Sequence, residues 1–218
     1  MTIPVEHTRV HEAGHVLALL SCGHPLLHLD EVHVVCSETA AGGCVLKGWW
    51  DDDDDGWPRW FHPGPDRAAD ATLALMAFGG MAAEIAAFGE RPDRGWSDDV
   101  LSASLRLAAL SGVSPRFMKT IAARLDEAGH SETVIHDLCA CIAGAVQNMS
   151  GADIGTGLKA LEDEAVRRAR ENMAAIKFLA DELARVPRLT RENVHDHLAG
   201  IDGYTVLGPP SIPVLFEG

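Results

Sequence analysis

The sequence predicts an α+β domain, mainly helical with one small β-hairpin, spanning residues 1–200 and followed by an extended tail at 201–218. Three observations predict it. Ala and Leu recur through long stretches with few β-branched runs, which favours helix. A single region, residues 31–47, reads as paired strands around a connection of small residues. The chain has 218 residues, 47% hydrophobic and 23% charged, at a mean hydropathy of +0.03, which suits one folded domain with a real core.

In chain order, the first helix is predicted over residues 5–21. His11, His15 and Leu19 repeat at i, i+4 and i+8 and share one face. Gly23, His24 and Pro25 end it. The hairpin pairs Glu31–Cys36 with Gly43–Lys47 across the small residues 37–42. An acidic loop at 48–65 holds five consecutive aspartates, Asp51 to Asp55, among Trp49, Trp50, Trp57, Trp60 and Phe61, with prolines and glycines that exclude regular structure. Two readings stay open for it: packing inward on the domain, or covering a cleft or docking a partner.

Further helices are predicted at about 66–88, 98–111, 114–129, 131–148, 157–186 and 190–199, with Ser114 capping ahead of Pro115 and Thr190 capping the last. The 157–186 segment reads as one long amphipathic helix with Glu162, Glu164, Arg167, Arg168, Arg170 and Glu171 on its wet faces. Three prolines make residues 203–218 an extended arm.

Charge and composition narrow the function classes. With 32 acidic against 18 basic residues and a net charge of −14, a nucleic-acid partner is not expected. No secretory signal is expected, because Glu6, His7 and Arg9 interrupt the start of the chain. No membrane segment is expected either, because Asp70, Gly79, Gly80 and Glu84 break the longest apolar run, 68–88. The five cysteines, Cys22, Cys36, Cys44, Cys139 and Cys141, lack zinc-ribbon pairing and read as reduced thiols, so a cytoplasmic location is expected.

The segment His11-Glu12-Ala13-Gly14-His15 carries the chemistry. Two histidines four apart on a helix project one turn from each other, and both can reach one Zn²⁺ at about 2.0–2.1 Å. Glu12 stands beside the first ligand in the general-base position of a metallopeptidase. The flanking residues are apolar, where unpaired imidazoles and a carboxylate are costly and a metal would settle that cost. A catalytic site needs a third protein ligand and an open position. His24, His28 and His33, and the His195-x-His197 pair, read as surface or partly buried histidines. The Asp51–Asp55 run lacks the oxygen spacing of a calcium loop. An extended substrate is expected along an exposed strand, here Gly43, Cys44, Val45 and Leu46 up to Lys47.

The segments Gly79-Gly80-Met81-Ala82-Ala83-Glu84, Phe88-Gly89-Glu90 and Ser97-Asp98-Asp99, in that order after the histidine motif, resemble the peptidase domain of FtsH-type zinc proteases. Glu164-Ala165-Val166-Arg167-Arg168 and Leu189-Thr190-Arg191-Glu192 look like that family's terminal helices, so the resemblance covers about residues 5–200. It implies a zincin-like metallopeptidase domain with a C-terminal helical bundle, a single zinc ion per chain and Asp99 as its third ligand. Asp98 stands where the family has Asn, and it and Glu84 would support the site or the fold. Asp93-Arg94-Gly95-Trp96 replaces the family's Thr-Thr-Gly-Ala.

The family's peptidase domain normally follows an ATPase module, and this sequence contains no Gly-x-x-x-x-Gly-Lys-[Ser/Thr] loop. The expected function is therefore zinc-dependent cleavage of unfolded proteins or peptides, alone or fed by a separate ATP-dependent unfoldase. The resemblance also implies a homo-oligomeric ring; without the ATPase ring to template it, a dimer or a monomer is the alternative. Two competing readings are a catalytically silent adaptor that keeps the fold for binding, and zinc as structural cement.

Overall fold

The computed structural model describes residues 5–34, 42–46, 61–89, 97–200 and 203–212. Its elements run α1 (Val5–Cys22), β1 (Leu29–His33), β2 (Gly43–Leu46), α2 (Arg67–Phe88), α3 (Ser97–Leu110), α4 (Pro115–Ala128), α5 (Glu132–Ser150), α6 (Ile154–Glu171), α7 (Met173–Arg185), β3 (Arg188–Thr190) and α8 (Arg191–Ala199). The protein is mainly helical with a small antiparallel sheet, the class its composition predicts. Lys47, Trp49, Trp50, Asp51–Asp55, Trp57 and Trp60 lie outside the described residues, as do Cys36, Glu90 and the 93–96 segment.

α1 and α2 form the centre of the core. Neither has a wet face over most of its length: α1 is buried from Glu12 to Leu19, and α2 from Ala69 to Leu75 and from Ala77 to Glu84. Helices of that kind are buried all round rather than on one stripe. α2 is 22 residues long with a hydropathy of 1.6, enough to cross a membrane by composition, yet 72% of that stretch is buried inside the fold. α3 and α6 pack on α2, α7 packs on α1, and α5 lies behind α3.

The two central helices run antiparallel and meet at a pair of glycines. A Cβ on Gly14 would strike the Gly79 carbonyl oxygen and sit 2.5 Å from the Ala83 Cβ; one on Gly79 would sit 2.6 Å from the Gly14 carbonyl oxygen. The obstacle is backbone, which cannot rotate away. Gly14→Ala is therefore expected to force the helices apart at a cost of about 1–3 kcal/mol, the usual range for overpacking a core. The check is a lower denaturant midpoint at unchanged m-value.

The capping residues behave as the sequence predicts. Ser114 accepts from the Phe117 N–H with Pro115 in the first turn, and Thr190 forms a capping box with Asn193. Gly89 ends α2 at φ 80, a left-handed conformation that favours glycine.

Two expectations are corrected. The predicted 157–186 helix is two, α6 and α7, because Asn172 (φ −106, ψ 16) turns its side chain back to the Arg168 carbonyl at 3.0 Å and accepts the Thr205 N–H at 2.7 Å. Arg168 is not on a wet face. It is 4% exposed, held by Glu164 at 2.7 Å, and its guanidinium donates to the Gly208 carbonyl at 2.7 Å beside Ser21 at the end of α1. Residues 203–212 lack regular structure, as expected of an extended arm, and they dock on the domain: Leu207 N–H donates to the Ser21 carbonyl at 2.7 Å, and Ile212 is buried.

The hairpin carries a third strand. The order is β2-β1-β3, all antiparallel, with Val32 opposite Cys44 on one side and Leu189 on the other. Leu29, Val32, Leu46 and Leu189 are buried in the core, while Glu31 and His33 lie on the less buried positions. β2 is thus an edge strand, and its outer edge is unpaired among the described residues.

Candidate metal centre

The four-residue step in α1 sets the His11 and His15 rings 4.7 Å apart between centroids, at 81° to each other. The first turn of α3 brings Asp99 to them from 84 to 88 residues further along the chain. Its Oδ2 lies 3.2 Å from His11 Nε2, and its Oδ1 lies 3.7 Å from His15 Nε2. The ligand atoms of these three residues all lie within 4.8 Å of one another, and no other such group occurs among the described residues. Ligand atoms around tetrahedral zinc are spaced by about 3.3 Å, so the cradle is close to the required size.

Each imidazole is oriented through its other nitrogen. His15 Nδ1 lies 2.7 Å from the Met76 carbonyl, which can only accept. The hydrogen must therefore sit on Nδ1, and the Nε2 lone pair faces Asp99. His11 Nδ1 lies 2.7 Å from Glu84 Oε1, giving the same arrangement through a carboxylate that is 4% exposed. Gly80 makes room for the His11 ring, since a Cβ there would run into its Nε2. The paired glycines of α2 thus serve two neighbours: Gly79 takes the α1 backbone and Gly80 takes the His11 ring.

Two buried oxygens in this site, Asp99 Oδ2 and Glu12 Oε2, have no hydrogen-bond partner. Asp99 Oδ2 faces a ring nitrogen whose hydrogen lies on the opposite side, so a proton or a metal ion has to stand between them. Burial alone would depress the His11 pKa, yet the neighbouring Asp99 and Glu84 carboxylates drive it up to about 10. The two carboxylates thus favour positive charge at His11. Two imidazoles and a carboxylate are a donor set that zinc accepts, and three protein ligands leave a fourth position open.

Glu12 is 6% exposed and points into the same region. Burial pushes its carboxyl up, against the pull of His15 and His11. The backbone just before β2 closes on it, because a Cβ on Gly42 would lie 2.7 Å from Glu12 Cγ and Oε1. That brings the start of β2 to the acid, with Cys44 close enough to feel its charge.

The other predicted residues separate. Glu84 reaches this cluster, meeting His11 at 2.7 Å. Asp98 does not: its exposed carboxylate pairs with His130 Nδ1 at 2.9 Å. Successive residues on a helix point about 100° apart, so with Asp99 on the side facing α1 its neighbour turns elsewhere. His24 pairs with Asp66, His33 with Glu31 and His197 with Glu182 at 3.3–3.6 Å; His33 and His197 are partly buried as expected, whereas His24 is buried. Cys22 is buried, Cys44 and Cys139 are half-buried and Cys141 is exposed, all as free thiols.

One neighbour of the site escaped the sequence reading. His7 Nδ1 lies 3.0 Å from Glu84 Oε2, and its ring stacks on Phe88 at 4.0 Å and 13°. The signal was present, since His7 precedes His11 by the same four residues that separate His11 from His15.

No family model matches the chain, and no curated protein matches it.

Proposed function

We propose that this protein is a zinc-dependent metalloendopeptidase, similar to the FtsH-type peptidase domain, acting on unfolded or short polypeptides. One observation carries the reading: His11, His15 and Asp99 converge with both histidine Nδ1 atoms already engaged, and the Glu12 carboxylate, its Oε2 buried and unpartnered, stands beside them.

Zinc in this cradle would supply Lewis acidity, bringing the pKa of a coordinated water towards about 7 and polarising the scissile carbonyl. The chain's own residues do the rest. Glu12 takes the proton released as water attacks and hands it to the departing amine. Its buried, unpartnered oxygen suits that task, because a carboxyl raised by burial holds a proton at a pH where an exposed one would not. The open edge of β2 offers backbone N–H and C=O groups to an extended chain, a recognition mode that tolerates many sequences.

The test combines metal analysis with cleavage of unfolded casein, with and without a chelator. Roughly one zinc ion per chain and chelator-sensitive cleavage are expected. Asp99→Ala should weaken zinc binding on the order of 100-fold or more and abolish turnover in step. Zinc retained with no cleavage of any unfolded substrate would instead support the adaptor reading. Dependence of cleavage on a separate ATP-driven unfoldase would appear as activity restricted to substrates that are already unfolded.

A further inference from the structure

We infer that His7 is a positioning residue of the metal centre, acting on His11 through the Glu84 carboxylate; the inference rests on the metallopeptidase reading of that site. Glu84 has two oxygens, and each meets a different histidine of α1: Oε1 meets His11 at 2.7 Å and Oε2 meets His7 at 3.0 Å. The carboxylate is 4% exposed, so water does not readily satisfy whichever oxygen lacks a partner.

A carboxylate held on one oxygen can swing about its last side-chain bond. Held on both, its plane is defined, and so is the direction from which His11 Nδ1 must approach. That direction sets where the Nε2 lone pair points one ring-width away, towards Asp99. His7 is itself held from the side: its ring lies flat on Phe88, four residues beyond Glu84 on α2, with centroids 4.0 Å apart. Helix spacing on both partners therefore builds the set. His7 and His11 are one turn apart on α1, Glu84 and Phe88 are one turn apart on α2, and the antiparallel crossing matches them.

His7 touches no reacting atom. With its side chain 35% exposed, it is also not needed to fill the core. The contact with Glu84 is the feature that places its Nδ1, which separates a positioning role from a packing one.

The experiment measures Zn²⁺ affinity of the full chain by competition with a chromophoric chelator, for wild type, His7→Phe and His7→Asn. Phe keeps a flat ring for Phe88 and removes the donor. Asn gives up most of the stack but carries an amide N–H close to where Nδ1 sits. His7→Phe is expected to bind Zn²⁺ about 10-fold more weakly, the low end of the loss when a ligand's supporting hydrogen bond is removed, and His7→Asn to recover most of that loss. Co²⁺-loaded protein should show a changed visible spectrum in His7→Phe and a near-wild-type one in His7→Asn. Wild-type affinity in His7→Phe would overturn the inference while leaving the metal site intact. Equal losses in both variants would overturn it too, by making the effect one of packing. Absence of Zn²⁺ binding in the wild type would overturn the metallopeptidase reading and the inference together.

Discussion

Asp70→Ala is expected to destabilise the protein by about 3–5 kcal/mol, because it strands a buried guanidinium. Asp70 is 8% and Arg106 4% exposed, and their side chains meet at 3.3 Å between α2 and α3. Burial pulls the Arg106 pKa down, with Asp70 opposing that pull, and it settles at about 10; it remains a cation at neutral pH. Burial pushes the Asp70 carboxyl up, with Arg106 opposing. Without Asp70, the charge would keep, among the described residues, the His62 carbonyl and the Phe61 ring, 4.3 Å from the guanidinium carbon. Asp70 also accepts the Gly64 N–H at 2.7 Å, so the same change loosens residues 61–64 where the chain enters α2. The double variant Asp70→Leu/Arg106→Met removes both charges and is expected to recover most of the loss. Denaturant unfolding of the three variants measures this, and additive losses would show that the two residues act independently.

That pair illustrates what sequence periodicity conveys and what it omits. Asp70 is legible as a polar interruption of an apolar run, and its helix is placed within a residue of its true ends. Its partner lies 36 residues away, and nothing in local spacing selects Arg106. Arg168 fails for the same reason. Its i, i+4 relation to Glu164 marks a helix surface, yet the Gly208 carbonyl and the end of α1 cover that surface through contacts 40 and 146–147 residues away. β3 is three residues long, too short for alternation to register, and it becomes a strand because β1 offers it an edge. The break at Asn172 depends on a side-chain hydrogen bond that competes with the helix, a choice tertiary contacts decide.

The candidate site divides along the same line. His11, Glu12 and His15 are legible because one helix presents them together. Glu84 and Asp99 are legible only through the order of distant segments, and the structure brings both to the histidines. The Met76 carbonyl that orients His15 has no sequence signature, since every residue carries one. Gly80 is visible as part of a motif, but its reason, the volume of the His11 ring, lies in a contact between segments 69 residues apart.

Glu12→Gln is expected to lower kcat by about 10²–10⁴-fold while zinc stays bound, the range for losing a general acid–base. The amide matches the carboxylate in shape, so neither the approach of Gly42 nor the His11, His15 and Asp99 group has a steric reason to move. What changes is proton affinity. An amide cannot take the proton from an attacking water or return one to the leaving amine. Nor should stability fall, because the buried Oε2 has no hydrogen bond to lose and a neutral group is less costly to bury than an ion. This separates Glu12 from Asp99, whose loss should remove zinc and turnover together. It also separates catalysis from structural zinc, for which the Glu12→Gln protein would be indistinguishable from wild type in every assay. Metal content, unfolding midpoint and peptide cleavage on one preparation decide among these, and cleavage by Glu12→Gln at the wild-type rate would remove Glu12 from the mechanism.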